Sequence, residues 1–316
     1  MNYSDLDILY LTTKDVPDYL QDALYMGFCE LGCNVVDFPI KGSLHGRPHN
    51  SIYNIPHLLF NYPERTLRKE PDLIIVTAML QNYGSYINQQ TWMDFVQNIV
   101  KTHPSAKVII LDSNDQKGTS YPILSGREYD AVFKRELTYL PYENWYSINF
   151  SSIPETFYFI PYGQRKYDVS FVATISNFYR EEVRDFINKK AEELNLSIFT
   201  YVERQPLDRQ KYLDVLSQSK TAVSVTGAGK DCYRYWEIPA KGVVMIAEDP
   251  GLYIHSNFNK DHIFKFKYLS DLGNILKTVK EIPDEKLEEM ALNSLWFTHA
   301  WHTPRKRAEY ILRKVL

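Results

Sequence analysis

Cysteine is scarce in this chain: Cys29, Cys33 and Cys232 are its only three. They show neither paired spacing nor a metal-ligand pattern, which excludes a disulfide framework and a thiolate metal cage. Cys29 and Cys33 stand four apart, a helical spacing, and read as small apolar packing groups. A reducing, cytoplasmic setting is the expectation. Long hydrophobic runs are missing too, since no window reaches the roughly 18 consecutive apolar residues that a membrane span needs. The opening Met-Asn-Tyr-Ser-Asp-Leu-Asp has neither the basic segment nor the apolar core of a secretory signal. No charge sign dominates: 36 Lys and Arg against 39 Asp and Glu leave a net charge of −3. That balance argues against an extensive nucleic-acid surface.

What the chain does have is alternation. Apolar runs at 6–12, 34–38, 72–77, 107–112 and 131–136 read as strands, with helices at 19–31 and 90–102. A second series of strands at 169–173, 197–201, 221–225, 243–247 and 262–266 is interleaved with helices at 179–194, 208–218, 231–241 and 270–280. Helical patterns at 284–297 and 303–315 follow. Strands alternating with helices imply parallel sheets covered on both faces, here in two successive doubly wound, Rossmann-like halves. Between them, residues 137–162 are rich in Pro, Tyr and Ser and read as a linker. Residues 39–68 show no clear period, and their length points to a functional loop. Tyrosine is abundant, 24 in all, with Tyr121, Tyr129, Tyr139, Tyr142 and Tyr146 in predicted loops or linker. Such rings stack on sugars and bases, but they are equally common as half-buried strand and interface residues.

The densest signal spans residues 224–248. The β-branched run 221–225 leads into Thr226-Gly227-Ala228-Gly229, a turn that lets backbone amides approach a ligand closely. A helix after such a turn presents free N–H groups and its positive dipole end to an anion such as a diphosphate, with Lys230 beside it. Asp231, Arg234 and Glu237 are spaced three apart and fall along one helical face. Arg234 carries the planar fork that suits phosphate oxygens, and Glu237 is suited to accept from two vicinal sugar hydroxyls. The same trio also reads as a solvated face laced by ion pairs. Pro239 sits awkwardly late in the helix and should kink or shorten it, so a loop with a single helical turn is the other alternative. A glycine turn at the carboxyl end of an apolar strand is where α/β folds place ligands, and the segment reads as a nucleotide-sugar site.

Asp231-x-x-Arg234-x-x-Glu237 followed by Ala240-Lys-Gly242-Val-Val resembles the donor-binding segment of GT-B glycosyltransferases, especially the CgeB-like group and, more loosely, exostosin-like transferases. Lys166-Tyr-Asp168-Val-Ser-Phe-Val-Ala-Thr174, then Arg180, is similar to the strand and phosphate-side loop that open the C-terminal domain there. His262-Ile-Phe-Lys-Phe266 followed by Leu269-Ser-Asp271-Leu is similar to the strand and helix that close it. The resemblance covers about half the chain, roughly residues 160–300. It implies an α/β, GT-B-like fold of two Rossmann-like domains facing a cleft: residues 1–160 on the acceptor side, 161–300 on the nucleotide-sugar side, and a final helix at 301–316 crossing back to the first domain. It further implies that Thr174, Arg180, Thr226, Gly227, Gly229, Lys230, Asp231, Arg234 and Glu237 bind the nucleotide, with a UDP-sugar the expected donor. Positive side chains would then offset the leaving diphosphate's charge with no metal or other cofactor. The lack of a loop-borne Asp-x-Asp agrees, because Asp5-Leu-Asp7 lies at the start of the first strand.

A transferase that inverts configuration needs a base facing the donor. Asp15 and Asp18 follow the first strand, Asp112 and Asp115 follow the fourth, and His45 and His49 sit in the long aperiodic segment. Each also reads as a turn residue or cap, Asp18 in particular as the cap of the helix at 19–31. Phe133-Lys134-Arg135-Glu136 is an unusual charged cluster, equally a phosphate grip or a surface ion-pair group. Thr12-Thr-Lys-Asp-Val-Pro17 lacks the glycine-rich turn of many GT-B N-terminal domains. The acceptor is unidentified and spans a glycan, a small molecule or a modified nucleobase. A nucleotide-sugar epimerase or hydrolase of the same fold, and a non-catalytic nucleotide-sugar-binding protein, are the alternatives.

Overall fold

The computed structural model describes residues 2–12, 18–47, 61–78, 89–115, 121–124, 126–139 and 142–316. Along the chain run β1 (Asp7–Leu11), α1 (Tyr19–Glu30), β2 (Asn34–Phe38), β3 (Leu73–Thr77), α2 (Gln89–Thr102), β4 (Lys107–Asp112), β5 (Ala131–Lys134) and β6 (Trp145–Ser147). Then come β7 (Tyr167–Thr174), α3 (Phe178–Leu194), β8 (Ile198–Glu203), α4 (Arg209–Ser217), β9 (Ser219–Ser224), α5 (Arg234–Ala240) and β10 (Val244–Glu248). The remainder is β11 (Ile263–Phe266), α6 (Leu269–Glu281), α7 (Asp284–Trp301) and α8 (Pro304–Val315).

These elements form two compact units. One comprises Met1–Asn149, Tyr253–His255 and Pro304–Leu316; the other comprises Phe150–Leu252 and Ser256–Thr303. The first holds a parallel sheet in the order β2-β1-β3-β4-β5-β6, the second a parallel sheet in the order β11-β10-β9-β7-β8. No helix among the described residues is long and apolar enough to cross a membrane.

The cores show why the sequence folds this way. In the first unit Leu9, Leu11, Ile74, Val76, Val108 and Ile110 alternate along β1, β3 and β4, and meet Trp92, Val96 and Val100 of α2. In the second, Val169, Phe171 and Ala173 of β7 meet Val183, Ile187 and Ala191 of α3. A period of two on each strand thus faces a spacing of four on each helix. All five residues of β1 and all five of β3 are buried, the mark of strands covered on both faces. Asp7, the second acid of the Asp-x-Asp triplet, is buried at the amino end of β1. Its carboxylate accepts from Arg68 Nε at 3.1 Å and from Asn34 Nδ2, which ties β1 to the start of β2 and to Arg68.

Two expectations are corrected. The stretch taken as a linker contains a sixth strand, β6, parallel to β5 through Val132–Trp145, Phe133–Tyr146 and Lys134–Ser147. The helix expected over 231–241 begins only at Arg234, which leaves Asp231 in the preceding turn.

Candidate functional site

In the second sheet β7 lies between β8 and β9, so the chain order reverses there. Crevices at the carboxyl ends of strands flanking such a reversal are where open α/β sheets hold ligands. Here the loop after β7 and the loop after β9 are stitched together. Asn177 caps α3 by accepting from Arg180 N at 3.1 Å, and its Nδ2 donates to Gly227 O at 3.1 Å.

Arg180, in the first turn of α3, then spans both loops. Its Nη1 donates to Thr174 O at 2.6 Å, its Nε to Thr226 O at 3.0 Å, and its Nη2 to Cys232 Sγ at 3.7 Å. The side chain crosses directly over Gly227, where a β-carbon would lie 2.3 Å from Nη2. A side chain at this position would have to push the guanidinium aside. On the other side Glu248, the last residue of β10, accepts from both the N–H and the hydroxyl of Thr226, each at 2.8 Å.

Arg234 completes the group from the start of α5. Its Nη2 donates to Val225 O at 3.2 Å, and its Nε is buried with no hydrogen-bond partner among the described residues. Arg180 is pushed down to about 10, first by burial and next by the like charge of Arg234, with Cys232 and Glu248 pulling partly back. Among the described residues neither guanidinium has a carboxylate within salt-bridge distance. Two neighbouring, partly desolvated cations held mainly by carbonyl oxygens make a receptor for an anion.

The remaining residues singled out from sequence separate into two sets. Thr174, Thr226, Gly227 and Gly229 stand in the same loops; the Gly227 N–H is turned inward to Gly229 O at 2.9 Å and does not face a ligand. Lys230 is exposed beside the turn. Arg234 and Glu237 both stand on α5, three residues apart, whereas Asp231 precedes the helix and does not extend that face. Asp231 is buried and accepts from Phe150 N at 2.9 Å and Trp236 Nε1 at 2.7 Å, so its carboxylate anchors the start of the unit. Glu237 is buried and takes Tyr212 Oη at 2.8 Å and Arg209 Nη1.

In the first unit, Asp18 caps α1, accepting from Leu20 N at 3.0 Å and Gln21 N at 3.1 Å, while its other oxygen takes Gln21 Nε2 and Ser113 Oγ. Asp112 is fully buried, with Lys134 Nζ and Tyr121 Oη on one oxygen, each at 2.7 Å, and Asn114 N and Nδ2 on the other. Lys134 of the charged cluster is therefore the partner of Asp112, and Arg135 pairs with Asp115 and Glu136. His45 is buried between Asp37 and Tyr62 O. Asp15 and His49 lie outside the described residues. Among the described residues, no three His, Cys, Asp or Glu side chains come together to hold a metal ion.

Glu248 and Asn177 are the site residues that sequence reasoning missed. Glu248 ends an apolar strand and Asn177 stands three residues before Arg180 as an N-cap, and both positions are signals in principle.

No protein-family model matches the chain, and no curated protein matches it in sequence. Solved structures match it in fold. An α-glucosyltransferase in complex with UDP-glucose and DNA containing an abasic site superposes with a TM-score of 0.62 at 11% identity, covering 98% of both chains. Sucrose-phosphate synthase from Thermosynechococcus elongatus gives 0.54 at 11% identity, also over 98% of both. A glycosyltransferase from Rickettsia africae ESF-5 gives 0.55 at 9% identity over 98% of this chain and 97% of that one. The two Rossmann-like units are those of the GT-B fold.

Proposed function

We propose that this chain is a glycosyltransferase that moves a sugar from a UDP-sugar to an acceptor and needs no metal at the diphosphate. The observation that carries this reading is the Arg180–Arg234 pair, two adjacent guanidiniums at the strand-order reversal of the second sheet with no carboxylate in salt-bridge contact among the described residues. As a glycosidic bond to a diphosphate breaks, negative charge accumulates on the leaving phosphate oxygens. Cations fixed by the fold stabilise that charge without reorganising, and Lys230 adds an exposed positive charge beside the turn. Glu248, by holding Thr226, sets the loop that carries the Arg180 contact.

The CgeB-like pattern around Arg234 and the fold neighbour bound to UDP-glucose both support a uridine donor. The acceptor is a glycan, a small molecule or a modified nucleobase; α-glucosyltransferase structures solved with DNA, one containing an HMU base, support the last. Asp18 and Asp112 have both carboxylate oxygens engaged inside the first unit. Asp115, the fourth acid read from sequence, pairs with Arg135, and we assign Asp15 as the group that takes the acceptor's proton.

A thermal-shift and calorimetric screen against UDP, GDP, ADP, CMP and their sugar conjugates, with and without EDTA, tests the reading. Stabilisation by UDP and a UDP-sugar, unchanged by EDTA, is expected. Absence of stabilisation by any nucleotide would overturn it, and donor hydrolysis or isomerisation at full rate without acceptor would move it to another enzyme class.

A further inference from the structure

The first unit carries a groove that the donor site does not use. It has a volume of about 660 Å³ and lies around the edge strand β6, four places along the sheet from β1, with the aromatic rings of Tyr142, Trp145, Tyr146, Tyr253 and Tyr310 in its walls. Pockets of roughly 300–1,000 Å³ are the size that small ligands fill.

The walls are fixed by the fold. Ser147 Oγ donates to Tyr253 O and Tyr253 N to Leu137 O at 2.7 Å, which pins the 253–255 segment to the sheet edge. The His255 ring stacks on Tyr310 with centroids 4.4 Å apart at 20°. Tyr146 stacks on Phe133 at 5.2 Å, so the floor rests on the buried sheet. Above that floor the Lys314 ammonium sits 5.3 Å from the Tyr146 centroid and 5.9 Å from that of Tyr310. Tyr142 and Tyr253 stay 66% and 48% exposed. Their rings are therefore open to a ligand at the groove mouth.

The polar groups decide which ligand. Glu143 supplies an acceptor and Lys314 a donor. An apolar peptide or lipid would leave both charges desolvated and unserved, and a polyanion would meet Glu143. A sugar ring presents an apolar C–H face to a tyrosine and hydroxyls that both donate and accept around its rim. We propose that this groove binds a hexose oligosaccharide. It shares no residue with the nucleotide site and carries no chemistry of its own; it would hold a glycan chain against the first unit.

The test is titration of the full-length protein, without nucleotide, with maltohexaose, cellohexaose, chitohexaose and α-1,6-mannohexaose, followed by tryptophan fluorescence and calorimetry. Saturable binding of at least one is expected, weakened about tenfold by Tyr142→Ala and by Glu143→Gln. Both side chains are solvent-facing, so the melting temperature of each variant should match the parent. Arg180→Ala should leave the glycan affinity intact while removing UDP binding, which separates this groove from the donor site. The proposal is overturned if none of the four hexasaccharides binds, or if binding is equal in the parent and in both groove variants.

Discussion

Arg180 lies so close over Gly227 that a β-carbon at that glycine would sit 2.3 Å from the guanidinium Nη2. The contact ties the first turn of α3 to the loop after β9, and it fixes the position of the more buried of the two site arginines. Gly227→Ala must therefore displace Arg180. We expect UDP affinity to fall about 10-fold or more while the fold is kept, measured by calorimetry beside a circular-dichroism melt. An alanine variant that binds UDP as the parent does would count against the donor site.

Arg234→Ala separates binding from stability. Among the described residues Arg234 makes one hydrogen bond, to Val225 O, and its charge depresses Arg180. Removing it should leave the melting temperature unchanged or slightly raised and lower UDP affinity about 10- to 100-fold. A loss of stability with donor affinity intact would assign Arg234 a purely structural part.

Asp168 supplies a pH signature away from the site. Burial raises its pKa, but the Ser197 N–H and the Lys220 ammonium outweigh that and hold it below the usual carboxylate range. A folded-state pKa lowered in this way adds stability above the unfolded value near 3.9 and loses it as pH falls through the folded value. Asp168→Asn should cost about 1 kcal/mol at pH 7, and the gap from the parent should close below about pH 4 in urea titrations. A gap that stays constant from pH 7 to pH 3 would remove the carboxylate from the explanation.

Gly27 tests the packing of α8 on α1. A β-carbon there would lie 2.1 Å from Pro304 O and 2.4 Å from Pro304 C, backbone atoms that cannot rotate aside. Gly27→Ala should destabilise the protein by about 1–3 kcal/mol and make residues 304–316 more sensitive to limited proteolysis. Parent-like resistance would mean that the helices part without loss.

Most strands were legible because each is a continuous apolar run bounded by polar turns, as in Leu73-Ile-Ile-Val-Thr77. Trp145–Ser147 escaped because three residues carry no measurable period, and only pairing with β5 makes them a strand. The start of α5 was misread for a related reason. Asp231, Arg234 and Glu237 have helical spacing, but the fate of Asp231 is decided by Phe150, distant in sequence, and by Trp236 on α5. The arginines stood out by residue type in motif-bearing segments. Their adjacency did not, because it depends on two loops meeting at the end of a sheet. The roles of Asp18 and Asp112 were equally hidden: a carboxylate in a loop looks the same in sequence whether its oxygens face a substrate or, as here, Ser113 and Lys134.

The discontinuity of the first unit bears on how the chain is made. Residues 304–316 cover α1, yet they leave the ribosome after residues 150–303 have been synthesised. At roughly 5–20 residues per second, the α1 surface waits on the order of 15–60 s for its cover. During that interval the second unit can close on its own contiguous strands while the first still lacks its last helix, so the half that is translated first completes its folding last.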